Sequence, residues 1–320
     1  MSDRCGGQFL TMGETLVDLI VADGAPDLSH ADHLDVRSGG APANAAVAMA
    51  RLGLPAAFAG AVGADPLGER LRREMAAEGV NVARLRAAAT ATSIAFAWKD
   101  ERGDGHFWFL RGADATLSPS DAAAAGIPDL AALIVGSVAL SAEPSRHAIW
   151  RAVGLAKASG VPVVFDVNLR PALWPDLAAA YDACQPVFAA ARLVKLSLDD
   201  ARGLFGAEID PAQAFDRLAV LAPAANVVLT DGERGCWGPG KVGAEPLHVP
   251  AFAVAAVEPT GAGDAFTAAL VQRVAERGWE APTREDLRYA AAAGALATTK
   301  PGAWDGLPTV AQLDAFLAAH

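Results

Sequence analysis

Short apolar runs alternate with amphipathic stretches along almost the whole chain, a pattern that predicts repeated strand–helix units on a parallel sheet. Phe9 to Ile20 reads as a strand that continues beyond a bend. Ala43 to Leu52 reads as a helix ending at Gly53, Ala56 to Ala61 as the next strand, and Asp65 to Glu78 as a charged helix closed by Gly79. Leu133–Val135, Val161–Asp166, Leu193–Leu196 and Val227–Thr230 are short and rich in Val, Leu or Ile, as strands covered on both faces are. Helices are predicted between them at about 145–159, 177–191 and 211–221, and after them near 263–277, 286–299 and 310–319. One segment breaks the alternation. Ser93–Lys99 and His106–Leu110, joined by the polar stretch Asp100–Gly105, read as a hairpin carrying Trp98, Phe107, Trp108 and Phe109. With His33–Arg37 it forms either a small flap over the main sheet or an ordinary antiparallel edge. The pattern therefore predicts a doubly wound α/β core with a flap.

Composition narrows the setting. The 320 residues are 52% hydrophobic and 20% charged, and no repeat or low-complexity linker divides them, so a single domain over residues 1–320 is expected. An excess of 37 acidic over 26 basic residues gives a net charge of −11, which repels nucleic acid and anionic membranes as main partners. An anionic ligand must then be held by local backbone amides and a few placed cations. The most apolar stretch, Leu130 to Leu140, lies between Asp129 and Glu143 and contains Gly136, so no bilayer span is expected. Met1 to Gly7 lack the apolar core of a secretory signal, and Cys5, Cys184 and Cys236 form no C-x-x-C. A reduced cytoplasmic protein is the expectation. The six histidines show no paired metal spacing, which argues against a zinc enzyme.

The chemistry concentrates in Glu258-Pro259-Thr260-Gly261-Ala262-Gly263-Asp264-Ala265-Phe266. Phe266, Leu270 and Val274 recur every four residues, so a helix starts near Gly263 and the Gly-Ala-Gly-Asp run occupies its loop and first turn. Two glycines leave backbone N–H groups unshielded at the positive end of the helix dipole, which makes an anion site. Asp264 reads as a simple cap or as a group that accepts a proton from an attacking hydroxyl while the amides stabilise the transferring group.

At these residues the chain resembles the ribokinase-like (PfkB) carbohydrate kinases, whose C-terminal signature is similar to Thr260–Phe266. Gly39-Gly40-Ala41-Pro42-Ala43-Asn44-Ala45-Ala46 resembles the N-terminal signature, Gly60–Asp65 with Gly68 the element after it, and Gly13-Glu14 with Asp18 the first strand. The resemblance runs from about residue 9 to 317. It implies a mostly parallel sheet flanked by helices with a small β lid, here about residues 33–37 and 92–111, and ATP and Mg²⁺ as co-substrate and cofactor. Asp264 falls on the catalytic base, Gly261, Ala262 and Gly263 on the anion hole, and Asp18, Gly39, Gly40 and Asn44 on sugar-binding positions. Asp166-Val167-Asn168-Leu169-Arg170 with Leu173-Trp174 matches a fructokinase-like element that brings Asn168 and Arg170 to the substrate. Arg170 could pair with the phosphoryl oxygens; by itself it also reads as an ion-pair partner of Asp166 or another local acid. Ser197 and Asp200 stand where the family has Asn-x-x-Glu, assigning Ser197 to ATP and Asp200 to the magnesium network. Thr230, Gly232 and Gly235 match a nucleotide loop. Glu258, Thr260, Ala297 and Gly302 match positions whose main-chain oxygens surround a monovalent cation, so potassium is a further expected ligand.

Phe109-Leu110-Arg111-Gly112-Ala113-Asp114 is similar to a stretch of bacterial fructokinases and places Arg111 at the substrate. Fructose phosphorylated at its 6-hydroxyl is the expected reaction, with 2-keto-3-deoxygluconate as the competing substrate. A non-catalytic sugar sensor on the same fold is the alternative from another class. A dinucleotide oxidoreductase lacks its G-x-G-x-x-G after the first strand. The resemblance also implies a homodimer formed through the lid, which Trp98, Phe107 and Trp108 would suit, as they would equally suit a flap packed on its own sheet.

Overall fold

A computed structural model describes residues 7–101, 105–240 and 245–320. The expectations for the first six residues, including Cys5, and for Arg102, Gly103 and Asp104 of the hairpin turn lie outside the described residues. The chain runs through β1 (Phe9–Met12), β2 (Leu16–Val21), β3 (Leu34–Gly39), α1 (Ala41–Arg51), β4 (Ala56–Gly63), α2 (Pro66–Ala77) and β5 (Asn81–Ala88). Next come β6 (Ile94–Lys99), β7 (Gly105–Leu110), α3 (Pro119–Ala124), β8 (Ala132–Gly136), α4 (Ser145–Ala158), β9 (Val163–Asp166) and α5 (Leu177–Phe188). The last third holds β10 (Leu193–Ser197), α6 (Leu198–Phe205), α7 (Pro211–Leu221), β11 (Asn226–Thr230), β12 (Cys236–Gly238), β13 (Leu247–Val249), α8 (Ala262–Glu276), α9 (Arg284–Ala297) and α10 (Val310–Ala319).

Nine strands form one sheet in the order β13-β12-β11-β10-β9-β8-β1-β4-β5. All neighbours are parallel except β11–β12 and β12–β13. Helices cover both faces, which is why β4 is buried along all its eight residues and β8 along all five. One apolar layer joins the sheet to α4, α5, α6 and α7, and the other joins it to α1, α2, α8 and α9. The strand order reverses at β1, with β4 on one side and β8 on the other. Open α/β sheets bind ligands beyond the carboxyl ends of their strands at such a switch point.

The chain leaves this sheet after Met12 and enters a second one at Leu16, so Phe9–Ile20 is two strands in two sheets rather than one bent strand. The second sheet has the order β3-β2-β6-β7, with β2 parallel to β6 and both outer pairs antiparallel. The expected flap therefore has a further strand, β2, near its centre. Its register decides what reaches the site. Asp18 pairs with Arg37 and Ala95, and Ala95 with Phe109, so Asp18 and Phe109 share one face. Leu19 pairs with Val36 and Phe96, and Phe96 with Trp108, which forms an apolar row on the other face.

The edge strand β5 has no counterpart in the predicted pattern because Arg84 and Arg86 interrupt its alternation. Both are tied down: Arg86 pairs with Asp121 and Arg84 donates to the Gln8 side chain. Among the described residues no helix is long and apolar enough to cross a membrane. Cys184 and Cys236 are free and buried.

Candidate active site

A cleft of about 270 Å³ opens beyond β1, β8 and β9, and its walls include Glu14, Asp18, Gly40, Asn44, Asn168, Arg170, Lys195, Gly263 and Asp264. Its size falls just under the roughly 300–1,000 Å³ typical of sites for drug-sized ligands, which suits a small polar molecule. Phe107 and Phe109 close it from the lid. They stack at 6.2 Å on the same face of β7, while Trp108 points the other way onto Phe96.

The floor is the head of α8. Phe266, Leu270 and Val274 are buried as their spacing predicts. Gly261 caps the helix at φ +85° with no side chain to satisfy the first amides. A Cβ there would lie 2.5 Å from the Ala303 carbonyl, so only glycine fits. The Ala262 amide turns back to the Pro259 carbonyl at 3.2 Å, but among the described residues the amides of Gly261, Gly263 and Asp264 have no protein acceptor. Three open donors at the positive end of a helix dipole form an anion cradle.

Asp264 is 8% exposed and accepts one hydrogen bond, from Asn44 Nδ2 to its Oδ2 at 2.8 Å. Among the described residues its Oδ1 accepts no hydrogen bond. Burial, reinforced by Asp166, pushes its carboxyl up to about 6, against the pull of Asn44, Lys195 and Arg170. Asp18 is pushed up to about 7 by burial and by the charges of Glu258 and Asp264. Gly39 lies outside the cleft wall and acts through Asp18, whose Oδ2 would stand 2.0 Å from a Cβ at that position. Asn168 adopts φ +40°, a left-handed conformation that asparagine tolerates better than most residues.

The two arginines part company. Arg111 faces an acid within the protein: it pairs with Asp114 at 2.5 Å and donates from Nη1 to Ser141 Oγ at 2.8 Å, while its Nε is buried without a hydrogen-bond partner. Among the described residues Arg170 makes no ion pair, because Asp166 takes Lys195 at 3.1 Å instead. Its one hydrogen bond among them is to the Leu169 carbonyl at 3.2 Å, and it lines the cleft.

Of the remaining expected residues Thr260 lines the cleft, and Ser197, Asp200, Thr230, Gly232, Gly235, Glu258, Ala297 and Gly302 lie outside its wall. Ser197 and Thr230 end the paired strands β10 and β11, and Gly232 and Gly235 form the turn after them. Asp200 closes α6: its Oδ2 accepts from the Ser197 amide and its Oδ1 from the Leu169 amide, each at 2.7 Å. Each oxygen keeps a second lone pair, so Asp200 is fixed in orientation by these amides while still able to accept from a metal-bound water. Glu258, Thr260 and Gly302 meet through the Glu258 carboxylate, which accepts from the Thr260 hydroxyl at 2.6 Å and the Gly302 amide at 2.8 Å. Their own carbonyls accept no hydrogen bond among the described residues. The Ala297 carbonyl is crowded by Gly306, where a Cβ would come within 2.1 Å.

Three site residues escape sequence reasoning. Lys195 is 5% exposed, and burial opposes its charge, but Asp166, Asp200 and Asp264 together hold it protonated. A lysine inside an apolar strand run was its only signal. Glu14 is 3% exposed, its Oε2 has no partner, and burial raises it to about 8. Trp304 donates to Asn44 Oδ1 at 2.7 Å across 260 residues, for which no local pattern exists.

Phosphoryl transfer to a hydroxyl needs a proton acceptor and an anion cradle side by side, in a crevice that a lid can dry. Fold and site together define a small-molecule kinase. The chain belongs to the pfkB family of carbohydrate kinases, whose sequence pattern matches residues 8–310. It is 37% identical over 311 residues to a fructokinase of Klebsiella pneumoniae, covering 94% of this chain and 96% of that one. A putative ribokinase II of E. coli, solved with ATP and Mg²⁺, superposes with a TM-score of 0.87 at 26% identity over 98% of this chain and 100% of its own. A double mutant of the Vibrio cholerae O395 fructokinase, solved with fructose, ADP and potassium, gives 0.81 at 31% identity over 97% and 98%.

Proposed function

We propose that this chain transfers the γ-phosphoryl group of ATP to the 6-hydroxyl of fructose, as one kinase unit whose small sheet serves as the lid. The observation that carries the reading is the free Oδ1 of Asp264 beside the open amides of Gly261 and Gly263. Asp264 takes the proton of the attacking hydroxyl, the new O–P bond forms as the bond to the leaving ADP oxygen breaks, and the amides stabilise the charge on the transferring group. Asp18 and Asn168 are suited to hold sugar hydroxyls, and Arg170 to hold phosphoryl oxygens. Phe107 and Phe109 exclude water, which would otherwise compete for the phosphoryl group.

Neutral sugar is favoured over an acid sugar by the state of the arginines. Arg111 is neutralised by Asp114, so a substrate carboxylate would find one unpaired cation rather than two. Magnesium, which screens phosphate charge in such reactions, would be held by the nucleotide and water, with Asp200, fixed by two backbone amides, placed to reach it through water. The unengaged carbonyls of Glu258, Thr260 and Gly302 are hard oxygen donors and fit potassium. The two buried free thiols support a cytoplasmic setting. The outward row with Val36 39% and Trp108 51% exposed supports a homodimer through the lid, which sedimentation of a Trp108→Asp variant would convert to monomer.

The deciding experiment is coupled ADP release over fructose, ribose, tagatose, 2-keto-3-deoxygluconate and adenosine. Fructose should give the largest kcat/KM, and no release with any sugar would leave a sensor. Asp264→Asn should lower kcat by about 10³-fold or more with sugar affinity within a few-fold. Wild-type turnover in that variant removes Asp264 from the chemistry.

A further inference from the structure

Asn44 was expected to serve the sugar, yet in the structure both ends of its amide are engaged by the protein. Its Oδ1 accepts from the indole Nε1 of Trp304 at 2.7 Å, and its Nδ2 donates to Asp264 Oδ2 at 2.8 Å. The order is forced by chemistry. An indole N–H only donates, so it can meet only the oxygen of an amide, and the NH₂ group must then face the carboxylate. Were the amide reversed, its oxygen would confront Asp264 and its NH₂ would confront another donor.

Trp304 is itself held. It is 8% exposed, and its carbonyl accepts from Arg51 Nη1 at 2.6 Å. Arg51 also binds the Leu307 carbonyl at 2.8 Å and pairs with Glu78 at 2.7 Å. Asn44 and Arg51 are both on α1 and two turns apart, so they fasten the segment around Trp304 to one face of that helix. The neighbouring Ala303 carbonyl borders Gly261 at the cradle.

We propose that Trp304 is a positioning residue for phosphoryl transfer: its N–H locks the Asn44 amide, and the locked amide turns Asp264 so that Oδ1 is the oxygen left for the substrate hydroxyl. The proposal rests on Asp264 being the proton acceptor. Asp264 is also faced by Asp166 from β9, Lys195 from β10, Arg170 from the loop after β9 and Asp18 from β2. The one side-chain hydrogen bond of the Trp304 indole among the described residues is to Asn44, so a ring that keeps its packing but lacks the donor isolates the amide lock.

Trp304→Phe keeps an aromatic ring and removes the donor, whereas Trp304→His keeps a ring N–H. The Phe variant should lose about tenfold in kcat with the sugar KM within about twofold, and the acid limb of its pH profile should move upward by about half a pH unit. The His variant should recover most of both. Unchanged kcat and pH profile in Trp304→Phe, with Asp264→Asn inactive, would overturn the proposal and leave Trp304 as packing. A rise in KM alone would overturn it too, by making Asn44 only a sugar ligand. An active Asp264→Asn enzyme would instead overturn the proton-acceptor reading. If Trp304→Phe fails to fold, the indole N–H resonance of the wild-type protein decides. It should shift with a midpoint near the Asp264 value of about 6 and stay still in Asp264→Asn, and a wild-type resonance that does not titrate would sink the lock.

Discussion

The heads of α6 and α8 stand at the same edge of the sheet, and each carries an aspartate at its third helical position. At α6 the residue before the helix is Ser197, whose hydroxyl accepts from the Asp200 amide at 3.0 Å while Asp200 returns a carboxylate oxygen to the Ser197 amide at 2.7 Å. The box is closed and the acid is fixed in place. At α8 the corresponding residue is Gly261, which has no hydroxyl to close a box. Asp264 turns to Asn44 on another helix, and the amides stay open. The residue before the helix thus decides whether the acid serves the helix or a ligand. A glycine cap forgoes only about a few tenths of a kcal/mol, which the burial of Phe266, Leu270 and Val274, at roughly 1.5–3 kcal/mol each, readily offsets.

Each half of this contrast can be attacked. After Asp264→Asn, the next largest effect is expected from Gly263→Ala, because the new methyl would lie 2.9 Å from Lys195 Nζ, itself pinned by Asp166, and would crowd the cradle. Steady-state kinetics should show kcat lower by about 10–100-fold with the fold intact by circular dichroism. Asp200→Asn should do the reverse. Losing the charge that two backbone amides share should cost about 1.5–3 kcal/mol, read as a lower Tm, with kcat changed less than about threefold. A large loss of kcat there would make its reach to the metal through water essential to turnover.

A smaller effect follows from titration. Asp264 has a folded value of about 6, raised above its ordinary 3.8. The folded state therefore holds a proton that the unfolded chain has already released, and its stability falls as pH rises through that window. Asp264→Asn should match wild type near pH 4 and melt a few degrees higher at pH 8. An equal Tm at both pH values would show that the charge is not strained. The kcat/KM profile of wild type should lose activity below about pH 6 for the same reason.

Much of this was legible in the residues. The alternation of runs predicted the doubly wound core, and the four-residue spacing of Phe266, Leu270 and Val274 placed the head of α8 to within a residue or two. Local pattern also marked Asp264 and its glycines. What it could not supply were pairings between distant segments. Arg111 sits in a substrate-like stretch, yet Asp114 three residues on claims it. Asn44 meets Asp264 across 220 residues and Trp304 across 260. β5 hid behind arginines whose partners lie on other elements, and the division of Phe9–Ile20 between two sheets depends on which strands wait on either side.

That division has a mechanical outcome. Asp18 belongs to the small sheet, whereas Asp264 heads a helix packed on the large one. Both carboxyls resist ionising, Asp18 partly because Asp264 is near. A polyol whose hydroxyls donate to both would remove that resistance and join the two sheets, and X-ray scattering should then record a smaller radius of gyration with fructose than without it.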